Sequence, residues 1–383
     1  MDWNCLIKNK SELYVTTDSR RVTRGCVFVA LKGEHFDGND YVEQARRDGA
    51  EYVICGDNAL AELQDLARAW RRELGLPVIG ITGTNGKTTT KELLAAVLST
   101  KFNIHYTQGN YNNALGVPLT LLQCTRAHEM AIVEMGASHL GDIRELVNIA
   151  EPDYGLITNV GRAHLEGFGS FEGVMQTKKE LYDYLRAHGR LIFRNTDNPY
   201  LAQMAGDMPF VGYTTGTMPS GMHLIGDYNA ENVSAALCVG EYFGIPREQG
   251  LEAVRAYMPS NNRSQAVTTP CNRLTVDAYN ANPTSMMAAI NAFKGDTYIL
   301  GAMRELGDYT HLEHQNIVNA LAERKAGTVL LVGDEWRDTT APYPVFSTVE
   351  DLRDHLIANP LKQCNILLKG SHSTQLEKLL DVL

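Results

Sequence analysis

The segment from Val78 to Thr90, with the sequence VIGITGTNGKTTT, constrains the fold of this chain more than any other feature. An apolar run typical of a buried strand opens into a glycine-punctuated loop that ends in Lys87 and Thr88. Such a loop points backbone N–H groups at a polyphosphate, brings the lysine near its β and γ oxygens, and offers the threonine hydroxyl to Mg²⁺. The strict P-loop pattern requires glycine at position 81, where Ile81 stands. The context still favours a phosphate-binding loop over a glycine-rich turn without function, because a helical pattern follows the lysine at once.

Strand and helix patterns alternate from this loop onward. The predicted elements are strands 78–82, 131–135, 154–159 and 190–194, and helices 88–100, 139–149 and 171–187. Alternation of this kind indicates a parallel sheet with helices on both faces, in which ligands gather at the carboxyl ends of the strands. Glu134, Asn159 and His164 fall at or just past such ends.

The length of 383 residues exceeds one ordinary domain, and we expect three units. A small α/β unit is predicted over 1–76, because a charged helix breaks at Gly75 just before the phosphate-loop strand. The alternating region forms the central unit, 77–259. A second alternation, with strands near 274–277, 297–301, 328–332 and 365–369, predicts a Rossmann-like unit over 260–383 without a G-x-G-x-x-G motif. The predicted fold class is therefore α/β, with the phosphate loop in the central parallel sheet.

Charge and cysteine content exclude several functional classes. A formal charge of −10 without a Lys/Arg-rich stripe argues against nucleic-acid binding. Seven cysteines are scattered without a C-x-x-C pair, so neither a disulfide framework nor a zinc site is indicated. The first residues lack the pattern of a signal peptide, and no apolar run is long enough for a membrane span. We expect a globular protein of the cytoplasm.

Lys178 is the least expected residue of the helix predicted at 171–187. The helical period places it within an apolar stripe that includes Val174 and Leu181, whereas Lys179 points elsewhere. A buried ammonium is costly, so this side chain extends to solvent, pairs with a carboxylate, or has a lowered pKa and becomes reactive. From the pattern alone, extension to solvent is the favoured alternative.

Glu134 and His164 are each ambiguous when taken singly. Glu134 lies in an apolar strand, where its carboxylate needs either a metal ion or a salt bridge. His164 lies in a loop, which weakens the interpretation as an ordinary core histidine. Together with Thr88 and Lys178, these residues are predicted on one edge of one sheet, which suits a two-metal nucleotide site.

Several long motifs, in this order along almost the whole chain, resemble those of the Mur ligases of peptidoglycan synthesis. The shared motifs are TGTNGKTT at 82–89, Glu134, the segment 159–170, Lys178 and NAENVSAA at 229–236. Further segments at 17–20 with 30–38, at 109–122 and at 277–286 resemble the members that add D-alanyl-D-alanine.

The resemblance implies a three-domain, ATP-dependent amide ligase. The first domain would hold the UDP of UDP-N-acetylmuramoyl-tripeptide, the second would bind ATP, and the third would close over both. ATP would phosphorylate the terminal carboxylate of the tripeptide, and the amine of D-Ala-D-Ala would attack the acyl phosphate. We expect the enzyme to be a monomer.

The resemblance also assigns ATP and metal ligands. ATP would be bound by the phosphate loop and by residues near the adenine, the ribose and the phosphates: Gly83, Thr84, Asn85, Gly86, Lys87, Thr88, Thr89, Asn229, Arg263 and Asp277. One Mg²⁺ would be held by Thr88 and Glu134, and a second by His164 and a carbamate formed from CO₂ on Lys178. Carbamylation requires an uncharged amine, which reverses the preference for extending Lys178 to solvent.

The remaining implied residues belong to the substrates. Candidates for the UDP-sugar are Ser19, Asp37, Gly38 and Asn39, and candidates for the acceptor or phosphate region are Asn112 and Asn113.

The chain departs from the family pattern at Tyr228, where histidine is usual, and in a shortened segment at 195–226. Two alternatives stay open, a Mur-type ligase for a different amino acid and a nucleotide-binding homologue without turnover. The second would be expected to lack one of Lys87, Glu134, His164 and Lys178, and all four are present.

Overall fold

Three separate sheets organise the chain. The computed structural model describes residues 3–259, 263–340 and 342–383. Within them, one sheet has three strands and two sheets have six strands each. The sheets occupy successive parts of the sequence, so each forms the centre of one α/β unit, as the alternating patterns predicted.

The N-terminal unit is built on a small parallel sheet. Its strands are β1 (Val15–Thr16), β2 (Val27–Val29) and β3 (Tyr52–Ile54). Its helices are α1 (Asn4–Ile7), α2 (Val42–Arg47) and α3 (Ala59–Leu74), with 3₁₀ turns at Ser19–Arg21 and Gly38–Tyr41. From α3, the buried Trp70 donates its indole N–H to the carbonyl of Cys124 at 2.9 Å. This hydrogen bond ties the unit to the central one.

The central unit is built on a six-stranded parallel sheet. Its strands are β4 (Val78–Thr82), β5 (Ile104–Tyr106), β6 (Met130–Glu134), β7 (Tyr154–Ile157), β8 (Leu191–Asn195) and β9 (Phe210–Tyr213). They lie in the order β5-β6-β4-β7-β8-β9. The helices are α4 (Lys87–Leu98), α5 (Gly116–Leu122), α6 (Asp142–Ala150), α7 (Leu165–Phe168), α8 (Phe171–Ala187), α9 (Pro199–Ala205), α10 (Ala230–Tyr242) and α11 (Arg247–Ala256), with a 3₁₀ turn at Asp227–Asn229.

The position of β4 determines where a ligand can bind. It runs between β6 and β7, and all five of its residues are buried. In the ladder, Ile81 lies beside Glu134 and Thr82 lies beside Ile157. The phosphate loop after β4 is therefore next to Glu134 and to the segment after β7 that contains Asn159.

The C-terminal unit is built on a mixed sheet in which one edge strand is antiparallel. Its strands are β10 (Gln265–Thr268), β11 (Arg273–Asp277), β12 (Thr297–Gly301), β13 (Thr328–Val332), β14 (Val345–Phe346) and β15 (Asn365–Lys369), in the order β10-β11-β15-β12-β13-β14. Strand β10 is the antiparallel one. The helices are α12 (Pro283–Ala292), α13 (Thr310–Glu323) and α14 (Val349–Ala358), with 3₁₀ turns at Gly307–Tyr309, Asp334–Asp338, His372–Thr374 and Leu376–Leu379.

The predicted elements agree with these bounds. Helix α8 begins and ends where it was predicted, and the other predicted elements of the central unit differ by at most three residues at either end. Strands β5, β9 and β14, which have two to four residues each, were not predicted, because so short a run has no readable period. The predicted unit boundary near 76 falls between α3 and β4, whereas the one near 260 falls at 260–262, outside the described residues. Both boundaries stay predictions.

Membrane-spanning helices were not expected from the sequence. Every helix among the described residues is too short or too polar to cross a bilayer.

Candidate active site

A cavity of about 800 Å³ lies where the carboxyl edge of the central sheet faces the C-terminal unit. The central unit lines it with the phosphate loop, the end of β6 and the segment 109–114. The C-terminal unit contributes Arg263, Asp277, Tyr279, Glu305 and Lys369. Small-molecule sites have volumes of roughly 300–1,000 Å³, so the cavity is large enough for a nucleotide.

The phosphate loop is held in shape by the end of β7. Gly83 has a φ of 142°, and a Cβ built on it would lie 2.0 Å from the Thr158 hydroxyl oxygen, so only glycine fits here. That hydroxyl donates to the carbonyl of Asn85 at 2.6 Å, and the Asn159 side chain accepts the Asn85 N–H at 3.0 Å. The N-terminus of α4, a favourable position for anions, therefore lies at the cavity wall in a preorganised loop.

Lys87, the first residue of α4, folds back on its own loop. Its Nζ donates to the carbonyls of Gly83 at 2.7 Å and of Thr84 at 3.0 Å. Burial lowers the pKa of Lys87 to about 8, while Glu134 acts in the opposite direction and Arg263 in the same one. Hydrogen bonds to charged acceptors are stronger than those to neutral carbonyls, so a bound phosphate can draw this ammonium away from its loop.

Glu134 is the candidate cation ligand. Its side chain is buried, and Oε1 accepts hydrogen bonds from Thr88 Oγ1 at 3.2 Å and from Asn112 Nδ2 at 2.9 Å. Among the residues that the structure describes, its Oε2 is buried without a hydrogen-bond partner, and no ion pair involves this carboxylate. The alternative that Glu134 forms a salt bridge is therefore wrong within the described residues. A buried unpartnered carboxylate oxygen is costly, and a divalent cation beside Thr88 would satisfy it.

Lys178 is buried in α8, with 2% of its surface exposed, so extension to solvent is excluded. Its Nζ lies over the ring of Phe168, 5.4 Å from the centroid. No carboxylate of the described chain forms an ion pair with it. Burial, followed by the charge of Lys87, holds the pKa of Lys178 well below the ordinary range. Of the three alternatives, the lowered pKa is the one that these observations support. Lys178 does not itself line the cavity.

His164 lies in the loop before α7 and lines the cavity together with Lys87. Its backbone is left-handed, with a φ of 50°. Its Nδ1 contacts the carboxylate of Glu305, which belongs to the C-terminal unit. Burial lowers the pKa of His164, while the Glu305 carboxylate raises it. Sequence reasoning did not identify Glu305.

The C-terminal unit adds further charged groups to the cavity. The Arg263 guanidinium stacks on the Tyr279 ring at 3.8 Å, and its Nε is buried without a hydrogen-bond partner among the described residues. Lys369 Nζ donates to Asp277 Oδ2 at 2.6 Å. Sequence reasoning gave Lys369 no role, although it ends a predicted strand, where polar residues gather.

The predicted asparagines have different environments. Asn112, Asn113 and Asn229 all line the cavity. Asn112 is bound to Glu134, whereas the Asn113 side chain accepts the N–H of Gly116 at 2.8 Å at the start of α5. The Asn229 side chain donates to a backbone carbonyl at 2.7 Å. Asn113 therefore has a clear structural function in addition to any contact with a ligand.

The residues predicted for the UDP-sugar lie in the N-terminal unit, outside the cavity lining. The Asp37 side chain accepts the Asn39 N–H at 3.0 Å, and the Asn39 side chain accepts the Gly56 N–H at 2.8 Å. At Gly38, a Cβ would lie 2.8 Å from the backbone of Leu31. These contacts give a tight turn, and the assignment of Ser19 and of this turn to the UDP-sugar stays a prediction.

A divalent cation fits the residues around Glu134. Within residues 3–259, 263–340 and 342–383, no three His, Cys, Asp or Glu side chains are close enough together to hold a metal ion. Mg²⁺ commonly takes one or two protein ligands and completes its coordination with water and phosphate oxygens. Thr88 and Glu134 provide such a partial set beside the phosphate loop.

Three family models match the chain in succession. The model described as "Mur ligase family, catalytic domain" matches residues 14–102. The "Mur ligase middle domain" matches residues 81–215, and the "Mur ligase, glutamate ligase domain" matches residues 262–372.

Curated relatives match nearly the whole chain. The UDP-N-acetylmuramoyl-tripeptide--D-alanyl-D-alanine ligase of Bacillus subtilis (strain 168) is 34% identical, over 95% of this chain and 92% of its own length. The protein of the same name from Escherichia coli (strain K12) is 31% identical, over 96% and 93%.

Solved structures also match over nearly the full length. A crystal structure of MurF from Acinetobacter baumannii has a TM-score of 0.85 at 28% identity, covering 96% of this chain and 92% of that chain. MurF ligase from Thermotoga maritima in complex with ADP has a TM-score of 0.85 at 26% identity, covering 98% of each chain.

Proposed function

Because the chain belongs to the Mur ligase family, we propose that it joins D-alanyl-D-alanine to UDP-N-acetylmuramoyl-tripeptide in an ATP-dependent reaction of peptidoglycan synthesis. The relatives named for this reaction match more than nine tenths of their own length. The observation that carries the proposal is the contact between the phosphate loop and the segment 277–286. In it, Asn282 Nδ2 donates to Asn85 Oδ1 at 2.8 Å.

The chemistry has two steps. A carboxylate oxygen of the tripeptide attacks the γ-phosphorus of ATP, the bond to the β,γ-bridging oxygen breaks, and ADP leaves. The amine of D-Ala-D-Ala then attacks the carbonyl carbon of the acyl phosphate, loses a proton, and expels phosphate as the amide bond forms. A carboxylate that approaches a triphosphate meets like charge, so the protein must neutralise the encounter.

Lys87 and Arg263 are the residues that carry this neutralisation. Both line the cavity, and each is held by contacts weaker than a charged pair: Lys87 by backbone carbonyls and Arg263 by the Tyr279 ring. On ATP binding, Lys87 exchanges its carbonyls for phosphate oxygens. The N–H groups at the start of α4 bind the remaining phosphate oxygens.

Thr88 and Glu134 would hold Mg²⁺ against the phosphates. Bound Mg²⁺ would stabilise the negative charge on the phosphate oxygens during phosphoryl transfer. Asn112 keeps Oε1 of Glu134 oriented, and the free Oε2 is the atom available to the cation.

We further propose that a second cation is held by His164 and by a carbamate on Lys178. The neutral Lys178 amine attacks CO₂ and loses a proton, which gives an N-carboxylate with the oxygen ligands that lysine lacks. Support comes from the burial of Lys178, its lack of an ion pair within the described residues and its low pKa, all of which favour the neutral amine that this reaction needs.

Phosphate release tests the proposed function. The purified protein is mixed with ATP, Mg²⁺, UDP-N-acetylmuramoyl-tripeptide and D-Ala-D-Ala, and each component is omitted in turn. Release that depends on all four, with the pentapeptide product detected by mass spectrometry, is expected. Release independent of D-Ala-D-Ala would contradict the assignment of this dipeptide as the attacking amine, and no release with any acceptor would indicate a homologue without turnover.

Carbamylation has its own test. Lys178→Ala should abolish turnover, and added short carboxylates should partly restore it by replacing the carbamate. Lys179→Ala is the matched control, because Lys179 is the next residue of α8 and pairs with Asp183 on the surface. Full activity of unsupplemented Lys178→Ala would exclude the carbamate.

The cytoplasmic location and the monomeric state of the protein stay predictions.

A further inference from the structure

We propose that Glu305 is a positioning residue for His164. Its carboxylate holds the imidazole through Nδ1 and so leaves Nε2 free for the second cation. Since His164 is a cation ligand only under the function proposed above, this role of Glu305 rests on that function. Glu305 acts through His164 and contacts no reacting atom.

The contact joins the carboxyl edges of two different sheets. His164 follows β7 of the central sheet, and Glu305 follows β12 of the C-terminal sheet. Glu305 Oε2 contacts His164 Nδ1, and the Glu166 N–H donates to the Glu305 carbonyl at 3.3 Å. A Cβ on Gly307 would lie 3.3 Å from Glu166, so the two loops pack closely. The carboxylate therefore reaches His164 only when the two units are in contact.

Both residues have strained backbones. His164 has a φ of 50° and Glu305 a φ of 59°, although neither is glycine. A left-handed residue of this kind is energetically unfavourable and persists only where its surroundings hold it in place. Two strained residues that contact each other directly in the cavity lining point to a function for this contact.

The solvent exposure of the His164 and Glu305 side chains distinguishes a positioning role of their contact from a role in folding stability. The Glu305 side chain is 58% exposed and that of His164 is 31% exposed. Ion pairs with that exposure contribute little to folding, so the fold does not need the contact. A carboxylate bound to the other nitrogen of a metal-ligating histidine fixes its tautomer and ring orientation, and its loss commonly weakens metal binding or activity about 10–100-fold.

A neighbouring ion pair provides the matched control. Arg162 Nη1 donates to Glu313 Oε1 at 2.7 Å, and the Arg162 N–H donates to Thr284 Oγ1 at 2.9 Å. These bonds join the same two units without touching His164. Glu313→Gln therefore changes the charge of the same interface and leaves the imidazole alone.

The test compares Glu305→Ala and Glu305→Gln with Glu313→Gln in the full chain. Side-chain ¹⁵N NMR of histidine-labelled protein at about pH 8, where histidine is ordinarily neutral, reports the tautomer of His164. Mn²⁺ binding in the presence of a non-hydrolysable ATP analogue reports the cation sites without turnover. Melting temperatures show whether each variant folds.

Glu305→Ala should shift His164 from the Nδ1–H tautomer to a mixture and weaken binding of the more weakly held Mn²⁺ by about 10–100-fold. Turnover should fall by a similar factor with little change in the KM for ATP. Glu305→Gln should lie between Glu305→Ala and wild type, and Glu313→Gln should leave the tautomer unchanged.

An unchanged tautomer and unchanged Mn²⁺ binding in Glu305→Ala would overturn the positioning role while leaving the proposed ligase intact. If the wild type fails to ligate, the proposed function fails, and the NMR measurement still decides whether Glu305 orients His164.

Discussion

Replacing Gly83 by alanine should disrupt the phosphate loop more than the addition of one methyl group at any other residue of the loop. The φ of 142° is unfavourable for a side chain and costs about 1–3 kcal/mol. The new Cβ would lie 2.0 Å from Thr158 Oγ1, 3.0 Å from the Thr158 nitrogen and 3.1 Å from the Asn159 nitrogen. Two of these atoms are backbone and cannot move cheaply, so overpacking adds about 1–3 kcal/mol. The free energy of unfolding should fall by about 2–6 kcal/mol in total.

Nucleotide binding should fall as well. The displaced Thr158 hydroxyl is the donor to Asn85 that shapes the loop. Urea titration measures the stability, and titration with a fluorescent ATP analogue measures the affinity. Gly141→Ala is the control, because Gly141 has a φ of 91° and no atom of the described residues lies within 4 Å of a Cβ built on it, so this substitution carries the backbone cost alone. If Gly83→Ala were as stable as Gly141→Ala and bound nucleotide normally, the close approach of Thr158 would not constrain the loop.

Three further outcomes follow from the described contacts. Lys369→Met should destabilise the protein by about 3–5 kcal/mol in urea, because it leaves Asp277 without its buried partner at 2.6 Å; a loss below 1 kcal/mol would be too small for that pairing. Burial lowers the pKa of His105 from 6.5 to about 4, so its neutral form stabilises the fold above pH 6.5 and this contribution is lost as the pH falls toward 4. Between pH 7 and pH 5, the free energy of unfolding of His105→Gln should therefore fall by about 1–2 kcal/mol less than that of the wild type in urea titrations. Equal decreases in the two proteins would refute the lowered pKa of His105 as the cause. Thr88→Val should raise the Mg²⁺ concentration for half-maximal turnover about tenfold, since one oxygen beside Glu134 disappears, and an unchanged Mg²⁺ dependence would argue against that ligand.

The sequence predicts the part of the site that lies on one sheet. The phosphate loop, Glu134 and His164 all follow from the rule that ligands gather at the carboxyl ends of parallel strands, and the structure brings them to one cavity. The helical period also places Lys178 on the apolar face of its helix, although the pattern alone favoured extension of its side chain to solvent, which its burial in the structure excludes. Local periodicity is enough in these cases because neighbouring strands of one sheet share an edge.

The part of the site contributed by other units needed the structure. Glu305 reaches His164 across 141 residues of sequence, and no local pattern encodes how two sheets face each other. Lys369 meets Asp277 because β15 lies next to β11, a strand order that the sequence pattern does not reveal. The Asp37 turn lies in a different unit from the phosphate loop, so its relation to the UDP-sugar depends on a ligand.

The path of one oxygen atom tests the acyl-phosphate route most directly. UDP-N-acetylmuramoyl-tripeptide labelled with ¹⁸O in its terminal carboxylate is incubated with the protein, ATP, Mg²⁺ and D-Ala-D-Ala, and the released phosphate is analysed by mass spectrometry. Each phosphate should carry one ¹⁸O atom, because the carboxylate oxygen that attacks the γ-phosphorus leaves with it. Unlabelled phosphate released together with the amide product would contradict the mechanism.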